Sequence, residues 1–466
     1  MIFKGLDWVG FALYLSLALV GWLMIYTVGY GEGYPESRYT FLFDTAIGKQ
    51  SFYLLFALIL MFLVFVIEWK FWRTFAIPLY GFFLFLLLLV LIFGSTIKGS
   101  TSWFSLPGGF TLQPSEFAKF GTCLGLSSYL STYSTDLRKI SGQATALGII
   151  ALPILLILLQ PDAGSALIFA SFFIILFRQG MPAAPYIIGM VLFALFVCTL
   201  IFDAPITALI FILVLMLLLV SNLNQVGLYH FFTFLVVSVS LVIVLLAGYT
   251  YQALGGGLAI LIALSVYHVL NRQRKLGINS AISSIIGLLF VASVNYSFYK
   301  ILKPHQRDRL NVWLNPDKCD PQGSLYNVLQ SKLAIGSGGI TGKGFLEGTL
   351  TKLNYVPEQS TDFIFCTIGE EQGLIGSIAI IALFFIFILR LVTLAERQKS
   401  DFSRIYIYCL AGILFVHVFI NIGMTMGLVP IIGIPLPFIS YGGSSMLAFS
   451  IMVAVALKMD SHRYSV

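Results

Sequence analysis

Apolar residues recur in long uninterrupted runs along this chain, and short polar stretches separate them. The runs lie near residues 8–29, 50–68, 73–94, 113–132, 143–160, 163–178, 183–202, 205–221, 229–248, 255–270, 279–300, 366–390, 405–423 and 438–458. Most approach the roughly 20 residues that carry a helix across a bilayer core. Backbone polar groups inside lipid must be satisfied within the segment, so each run is predicted to be an α-helix. The expected fold class is all-α: a polytopic integral membrane protein with about fourteen transmembrane helices. One long interval between runs, about 301–366, is polar and predicts a single large loop.

Composition agrees with that pattern. Of 466 residues, 59% are hydrophobic and only 10% are charged, whereas soluble domains are about 25% charged. The first run, about Val9 to Tyr26, is too long for a signal-peptide core and lacks a small-residue cleavage site, so no cleavable leader is expected. Five cysteines are scattered, which implies no disulfide framework. No His/Cys cluster suggests zinc, and His268 and His417 read as isolated interior histidines.

Charge supplies the orientation. With the amino terminus inside, the inner connections hold Lys70, Arg73, Arg138, Lys139, Arg178, Arg272, Arg274, Lys275, Arg390, Arg397, Lys399, Arg404, Lys458 and Arg463. Short outer connections hold few basic residues, as the positive-inside rule expects. The long outer segment breaks the pattern with Lys303, Arg307, Arg309, Lys318, Lys332, Lys343 and Lys352. Long loops translocate regardless of charge. A basic excess facing outward is either a solvated loop or a site for an anionic substrate such as a phosphorylated lipid.

Within that segment Asp320 precedes Pro321, and proline pushes the preceding residue out of the α region. Its carboxylate is then presented rather than wound into a helix, and a neighbouring Lys318 favours the ionised form. An ionised carboxylate can accept a proton from an attacking hydroxyl. A plain Asp-Pro turn is the alternative. The run "IGSGGITGKG" fails the Walker pattern, because Gly344 follows Lys343 where Ser or Thr should stand. Its glycines allow an anion nest beside Lys343 or a merely flexible loop.

The stretch "NPDKCDPQGSLYNVLQSKLAIGSGGITGKGFLEGTLTKLNYVPEQSTDFIF" resembles the large extracytoplasmic loop of the SEDS family of peptidoglycan glycosyltransferases, RodA and FtsW. So do, in the same chain order, "QPSEFAK" (Gln113–Lys119), "QPDAGSAL" (Gln160–Leu167), "GEEQGLIG" (Gly369–Gly376), "NIGM" (Asn421–Met424) and "GIPLPFISYGGSS" (Gly433–Ser445). "GKGFLEGT" and "GIPLPFISYGG" are more similar to RodA, the elongation member, than to FtsW, the division member. The family has ten spanning helices. Against that pattern the chain divides into 1–180 (first six helices), 181–276 (about four inserted helices), 277–300 (the helix before the loop), 301–366 (the outer loop) and 367–466 (the last helices). An even insertion preserves the orientation of everything downstream.

The resemblance implies polymerisation of lipid II into glycan strands outside the bacterial cytoplasmic (inner) membrane. Asp320, in Asp320-Pro321-Gln322-Gly323, matches the family's essential aspartate and is the expected general base. Undecaprenyl pyrophosphate is the leaving group, with Arg307, Lys332 and Lys343 as loop cations for it. Glu116 and Lys119, three apart on one helix face, are either a structural ion pair or a substrate-facing pair in a central cavity. Asp162 and Lys49 are placed near the same cavity, Asp162 with a structural reading beside it. Trp103 is either an interface anchor or a stacking surface for sugar or lipid. The family often has a basic residue just before this tryptophan, where this chain has Ser102, and Lys98 is the nearby substitute. No dense metal motif is present; a divalent cation, magnesium or manganese, bridging Asp320 and pyrophosphate is the cofactor the chemistry admits. The expected partner is a class B penicillin-binding protein, a transpeptidase of the elongation machinery. A lipid II flippase or transporter, a division-specific FtsW-type polymerase, and a non-catalytic scaffold are the rival readings.

Overall fold

A computed structural model describes residues 5–30, 45–97, 99–106, 110–222, 228–271, 273–319 and 323–464. The chain forms two compact units, one of Met1–Pro182 with Asp320–Val466, the other of Ala183–Cys319. In the first unit the chain forms α1 (Trp8–Tyr30), α2 (Ala46–Val66), α3 (Trp69–Thr74) and α4 (Ala76–Phe93). Three short strands follow, β1 (Ser95–Ile97), β2 (Ser100–Leu106) and β3 (Phe110–Leu112), then α5 (Pro114–Leu130), α6 (Ile140–Leu158), α7 (Ala163–Ile168) and α8 (Ser171–Arg178). The second unit holds α9 (Ala184–Phe202), α10 (Ala204–Ser221), α11 (Leu228–Leu246), α12 (Thr250–Leu270), α13 (Arg274–Tyr296) and α14 (Pro304–Leu314). The chain then re-enters the first unit with α15 (Ser324–Ser337), α16 (Thr349–Lys352), α17 (Ile364–Glu396), α18 (Asp401–Thr425) and α19 (Gly443–Ser461).

Among the described residues, eleven helices are long and apolar enough to cross a membrane. The protein is therefore an all-α multi-pass membrane protein. The other three apolar runs also become helices, but shorter or interrupted ones. The run at 113–132 gives α5, which carries Glu116 and Lys119 inside its first two turns. The run at 163–178 breaks between α7 and α8, and the run at 229–248 is α11. The three strands, which the apolar pattern did not predict, form an antiparallel sheet in the order β1-β2-β3. Ser95 pairs with Trp103, and Phe104 with Leu112. β2 reads "STSWFSL", rich in the β-branched and aromatic residues that suit a pleated surface.

Burial separates the inner helices of the first unit from its periphery. Of the apolar window of α19, 83% is buried, against 72% for α18 and 17% for α4. Residues such as Phe82, Phe85, Ile92 and Phe93 on α4 stay exposed, as lipid-facing side chains do in a bilayer. In the second unit α10 supplies much of the core, with Ile212, Met216 and Leu219 packed against Leu261 of α12 and Val291 of α13. His268 is interior there as expected, with Nε2 3.0 Å from the Leu219 carbonyl and Nδ1 2.5 Å from Gln273 Oε1.

One end of the first unit is tied by charge. Asp7 pairs with Arg390 and Arg397, Arg397 pairs with Asp460, and Gln398 Nε2 donates to Asp460 Oδ1 at 2.9 Å. Lys458 Nζ donates to the Phe65 carbonyl at 2.7 Å, at the end of α2. This knot joins the start of α1 to the ends of α2, α17 and α19. Burial pushes the Asp7 carboxyl up, but the Arg390 hydrogen bond, the Gly10 N–H and the two arginine charges outweigh it and hold it below its ordinary value.

A depressed native pKa gives stabilisation that is fully present above the unfolded value, about 3.9, and is lost as pH falls from there through the lower folded value. Asp7→Asn is expected to lower the thermal midpoint in detergent at pH 7, at a cost of about 1.5–3 kcal/mol for the charged hydrogen bonds. Melting curves at falling pH check this: the gap between the two proteins closes below about pH 4.

Candidate functional site

The sequence motifs converge in the first unit. α5 begins with Pro114 at its first turn, where a missing N–H costs nothing. Glu116 and Lys119 then fall on one face, a spacing at which helical side chains meet. Lys119 Nζ lies 2.8 Å from both Glu116 oxygens, and the two side chains are only 1% and 4% exposed. The third acceptor is His417 Nε2 of α18, at 2.9 Å. The Phe449 ring of α19 lies 5.1 Å from the ammonium. A buried pair repays its desolvation only when its remaining hydrogen-bonding capacity is filled, and this one is closely partnered.

Asp162 caps the N-terminus of α7. Its Oδ1 accepts the Ser165 N–H at 3.0 Å, and its Oδ2 accepts the Ser165 hydroxyl at 2.7 Å. The same Oδ2 accepts Gln113 Nε2 at 3.0 Å, so "QPSEFAK" and "QPDAGSAL" meet side chain to side chain. The Gln113 N–H donates to Ser444 Oγ at 2.9 Å, and Ser444 Oγ donates to the Thr111 carbonyl at 3.1 Å. The "SYGGSS" stretch thereby joins the same corner. Trp103 stands partly buried on β2, with its carbonyl accepting from Ser95 Oγ at 3.0 Å. Lys49 is partly exposed in the first turn of α2 and makes no ion pair among the described residues. Gln50 beside it is buried, and its Oε1 has no hydrogen-bond partner among the described residues.

Asp320 and Lys98 lie outside the described residues. The helix that follows Asp320, α15, is fixed by Ser331, whose hydroxyl donates to the Thr425 carbonyl at 2.7 Å and lies 2.8 Å from Cys366 Sγ. Lys332, next along α15, is exposed and lies against the backbone of Gly427. Arg307 belongs to α14 of the second unit, where its Nε is buried without a partner among the described residues. Burial and the nearby Asp308 carboxylate push the thiol of Cys319, just before Asp320, up.

The glycine run is neither a nest nor a free loop. The N–H groups of Lys343 and Gly344 donate to the carbonyls of Glu370 and Glu371, at 3.1 and 3.0 Å. In return the N–H groups of Leu374 and Ile375 reach the carbonyls of Gly339 and Ile340. This crossing requires glycine on both sides. Gly342 has φ +83° and Gly373 φ +62°, and a Cβ on Gly373 would sit 2.3 Å from the Gly342 nitrogen.

Glu370, fully buried, organises the stretch that follows the glycine run. It accepts Lys343 Nζ at 2.6 Å, the N–H groups of Leu350 and Thr351 at 2.9 Å each, and the Thr351 hydroxyl at 2.7 Å. Lys343 is therefore committed to an internal ion pair. The end of the segment is zipped to "PLPFISYGG": the Tyr441 N–H reaches the Ser360 carbonyl at 2.8 Å, and Ser440 Oγ donates to the Thr361 carbonyl at 2.6 Å. Reading the sequence alone missed Glu370, Ser331 and the role of His417. For Glu370 a signal existed, two adjacent glutamates opening an otherwise apolar run.

Comparison with known proteins follows from this arrangement. The family model described as cell cycle protein, that of FtsW, RodA and SpoVE, matches residues 7–204 and 183–465. The peptidoglycan glycosyltransferase RodA of Treponema pallidum (strain Nichols) is 31% identical over 448 residues, 96% of this chain and 95% of that protein. The peptidoglycan glycosyltransferase MrdB of Escherichia coli (strain K12) is 39% identical over 207 residues, 44% of this chain; that match spans 55% of the relative's length, about half. A chain from a solved peptidoglycan synthase complex, described as coordinating polymerization and crosslinking, has a TM-score of 0.64 at 23% identity, with 99% of each chain covered. That likeness shows a shared fold.

Removing the Glu370 carboxylate strands two buried N–H groups. Glu370→Ala is expected to speed amide exchange at Leu350 and Thr351 by about tenfold or more, since each charged hydrogen bond is worth ~1.5–3 kcal/mol. Lys343→Met, which leaves those acceptors in place, should raise exchange less. Hydrogen-exchange mass spectrometry of peptides covering 342–353 checks both.

Proposed function

Because the chain belongs to the SEDS family of FtsW, RodA and SpoVE cell cycle proteins, we propose that it is a peptidoglycan glycosyltransferase of the elongation type, polymerising lipid II into glycan strands. The observation that carries this reading is the match along 96% of the chain to a RodA peptidoglycan glycosyltransferase. The clustering of Gln113, Glu116, Lys119 and Asp162 with the "SYGGSS" corner supports it, because the motifs that carry the resemblance meet in space.

In this reading Asp320 is the general base. It takes the proton of the acceptor sugar's 4-hydroxyl as that oxygen attacks the donor's anomeric carbon, and undecaprenyl pyrophosphate departs. A single inverting displacement needs one base and a stabilised leaving group. Cations placed at the developing charge act on the transition state more than on the ground state. Lys332, exposed and without an ion pair among the described residues, suits that role better than Lys343, which Glu370 holds. Arg307, with an unpartnered Nε, is the third cation proposed. Glu116, Lys119, Asp162, Lys49 and Trp103 line the substrate path. Asp320 would be the protein's oxygen ligand to a magnesium or manganese ion, which would supply positive charge to the departing diphosphate; no cluster of His, Cys, Asp or Glu among the described residues would hold it alone.

We place the protein in the bacterial inner membrane with fourteen crossings and 301–366 as one large outer loop facing the periplasm. Its partner is a class B penicillin-binding protein, a reading favoured by the fold shared with a chain of a peptidoglycan synthase complex.

Purified protein with lipid II tests the proposal. Wild type should make glycan strands slowly alone and faster with the transpeptidase; equal turnover with and without it removes the partner. Asp320→Ala and Asp320→Asn should each lose at least about a hundredfold in rate, the usual worth of a positioned base. Strands made at the wild-type rate by Asp320→Ala overturn the assignment. Movement of lipid II across liposomes without any polymer favours the transporter reading. A chelator that leaves the rate unchanged removes the metal.

A further inference from the structure

The ion pair on α5 is closed on its third side by a histidine that no motif singles out. An ammonium has three N–H donors and no acceptor. Two of those donors meet Glu116, so the third meets His417 Nε2, which must be the unprotonated ring nitrogen. The ring proton then sits on Nδ1, which faces the Pro435 carbonyl at 3.3 Å. The Phe449 ring holds the imidazole edge-on, with ring centres 5.1 Å apart and planes at 85°. One turn further along α18, Asn421 Nδ2 donates to the Ile434 carbonyl at 2.7 Å and to the Asp362 carbonyl at 2.9 Å. Helix α18 therefore grips two consecutive carbonyls of the "GIPLPFISYGG" stretch, and the residue making one grip, His417, holds Lys119 on its other ring nitrogen. That stretch is itself zipped to the end of the outer segment at Ser360 and Thr361.

We propose that His417 is a positioning residue: it fixes the Lys119 ammonium against the Pro435 backbone, ready for the diphosphate of a lipid-linked donor. The proposal rests on the polymerase reading for its consequence, and on geometry alone for the contact. To reach a diphosphate, Lys119 must give up part of its two-oxygen hold on Glu116. His417 stays as the constant neutral ligand about which the ammonium turns. Being uncharged, it does not compete with the incoming anion. A ring locked between Phe449 and the Pro435 carbonyl restricts where the ammonium can go, and such orientation is what a positioned group contributes to rate.

Two readouts test it on the full chain. In the first, histidine-labelled protein is studied by 15N NMR, with the His417 signal assigned by its loss in His417→Gln. The wild type should show the tautomer protonated on Nδ1, and Lys119→Met should shift that signal. A His417 signal protonated on Nε2, or one unmoved by Lys119→Met, overturns the contact whether or not the protein is a polymerase. In the second, lipid II polymerisation is compared for His417→Gln, which keeps one acceptor and one donor, and His417→Leu, which keeps neither. His417→Leu should lower kcat by about tenfold or more at nearly unchanged KM, and His417→Gln should recover most of that loss. Wild-type kcat in His417→Leu, or equal losses in both variants, overturns the positioning role. A wild type that makes no strands sinks the polymerase reading, and the NMR result then decides the contact by itself.

Discussion

A lysine ammonium withdrawn from water is tolerable only when its N–H bonds meet acceptors and its charge meets an opposite one. Lys119 satisfies that demand with Glu116, His417 and the face of Phe449. The demand reaches well beyond α5. It fixes the spacing of α5, α18 and α19, since each must bring one group to the same point. It also fixes the ring state of His417, and through it the path of the backbone at Pro435. The corner where Gln113, Asp162, Ser165 and Ser444 exchange hydrogen bonds lies at the start of the same helix. Keeping this one buried charge satisfied thus ties together three helices of the first unit.

The polar stretch before α17 obeys a related rule with a different residue. Glu370 is fully buried, yet its two oxygens receive Lys343, two backbone N–H groups and the Thr351 hydroxyl. A carboxylate with that many donors is a fold-organising centre. It converts a polar, glycine-rich stretch into a shaped surface without a hydrophobic core of any size. A small cluster of Ala334, Val356, Phe363 and Cys366 gives it apolar support. Polar contacts to the main chain carry the rest.

Much of this was legible from the sequence because lipid makes the apolar pattern unambiguous. Every long run became helix, and the motifs that suggested a shared family proved to be neighbours in space, as Gln113 and Asp162 show. Asp162 and the Glu116–Lys119 pair were each read with a structural role beside the functional one, and the geometry displays the structural bonds in full. What escaped were partnerships between residues far apart in the chain. Nothing local says that Lys343 belongs to Glu370, 27 residues on, or that His417 meets Lys119, 298 residues away. The β1-β2-β3 sheet escaped for another reason: its strands of three to seven residues are too short for periodicity to stand out. The glycine run was read for what glycine permits, and its actual use, a close crossing of two backbones, needs both partners to be seen.

Helix α17 has 33 residues, which as a straight rod would measure about 50 Å, far beyond a hydrocarbon core of roughly 30 Å. Gly373, at φ +62° and ψ −159°, interrupts it. The length beyond the break, 374 to 396, is about 34 Å at the helical rise and suffices to span lipid by itself. The short length before it travels instead with Glu370 and the loop that Glu370 holds. A thicker or thinner bilayer is then met by tilting the longer piece, and because Leu374 and Ile375 at its start donate to the carbonyls of Gly339 and Ile340, that tilt is passed on to the glycine crossing. The membrane's thickness and the shape of the exposed surface are in this way mechanically coupled through one short backbone crossing.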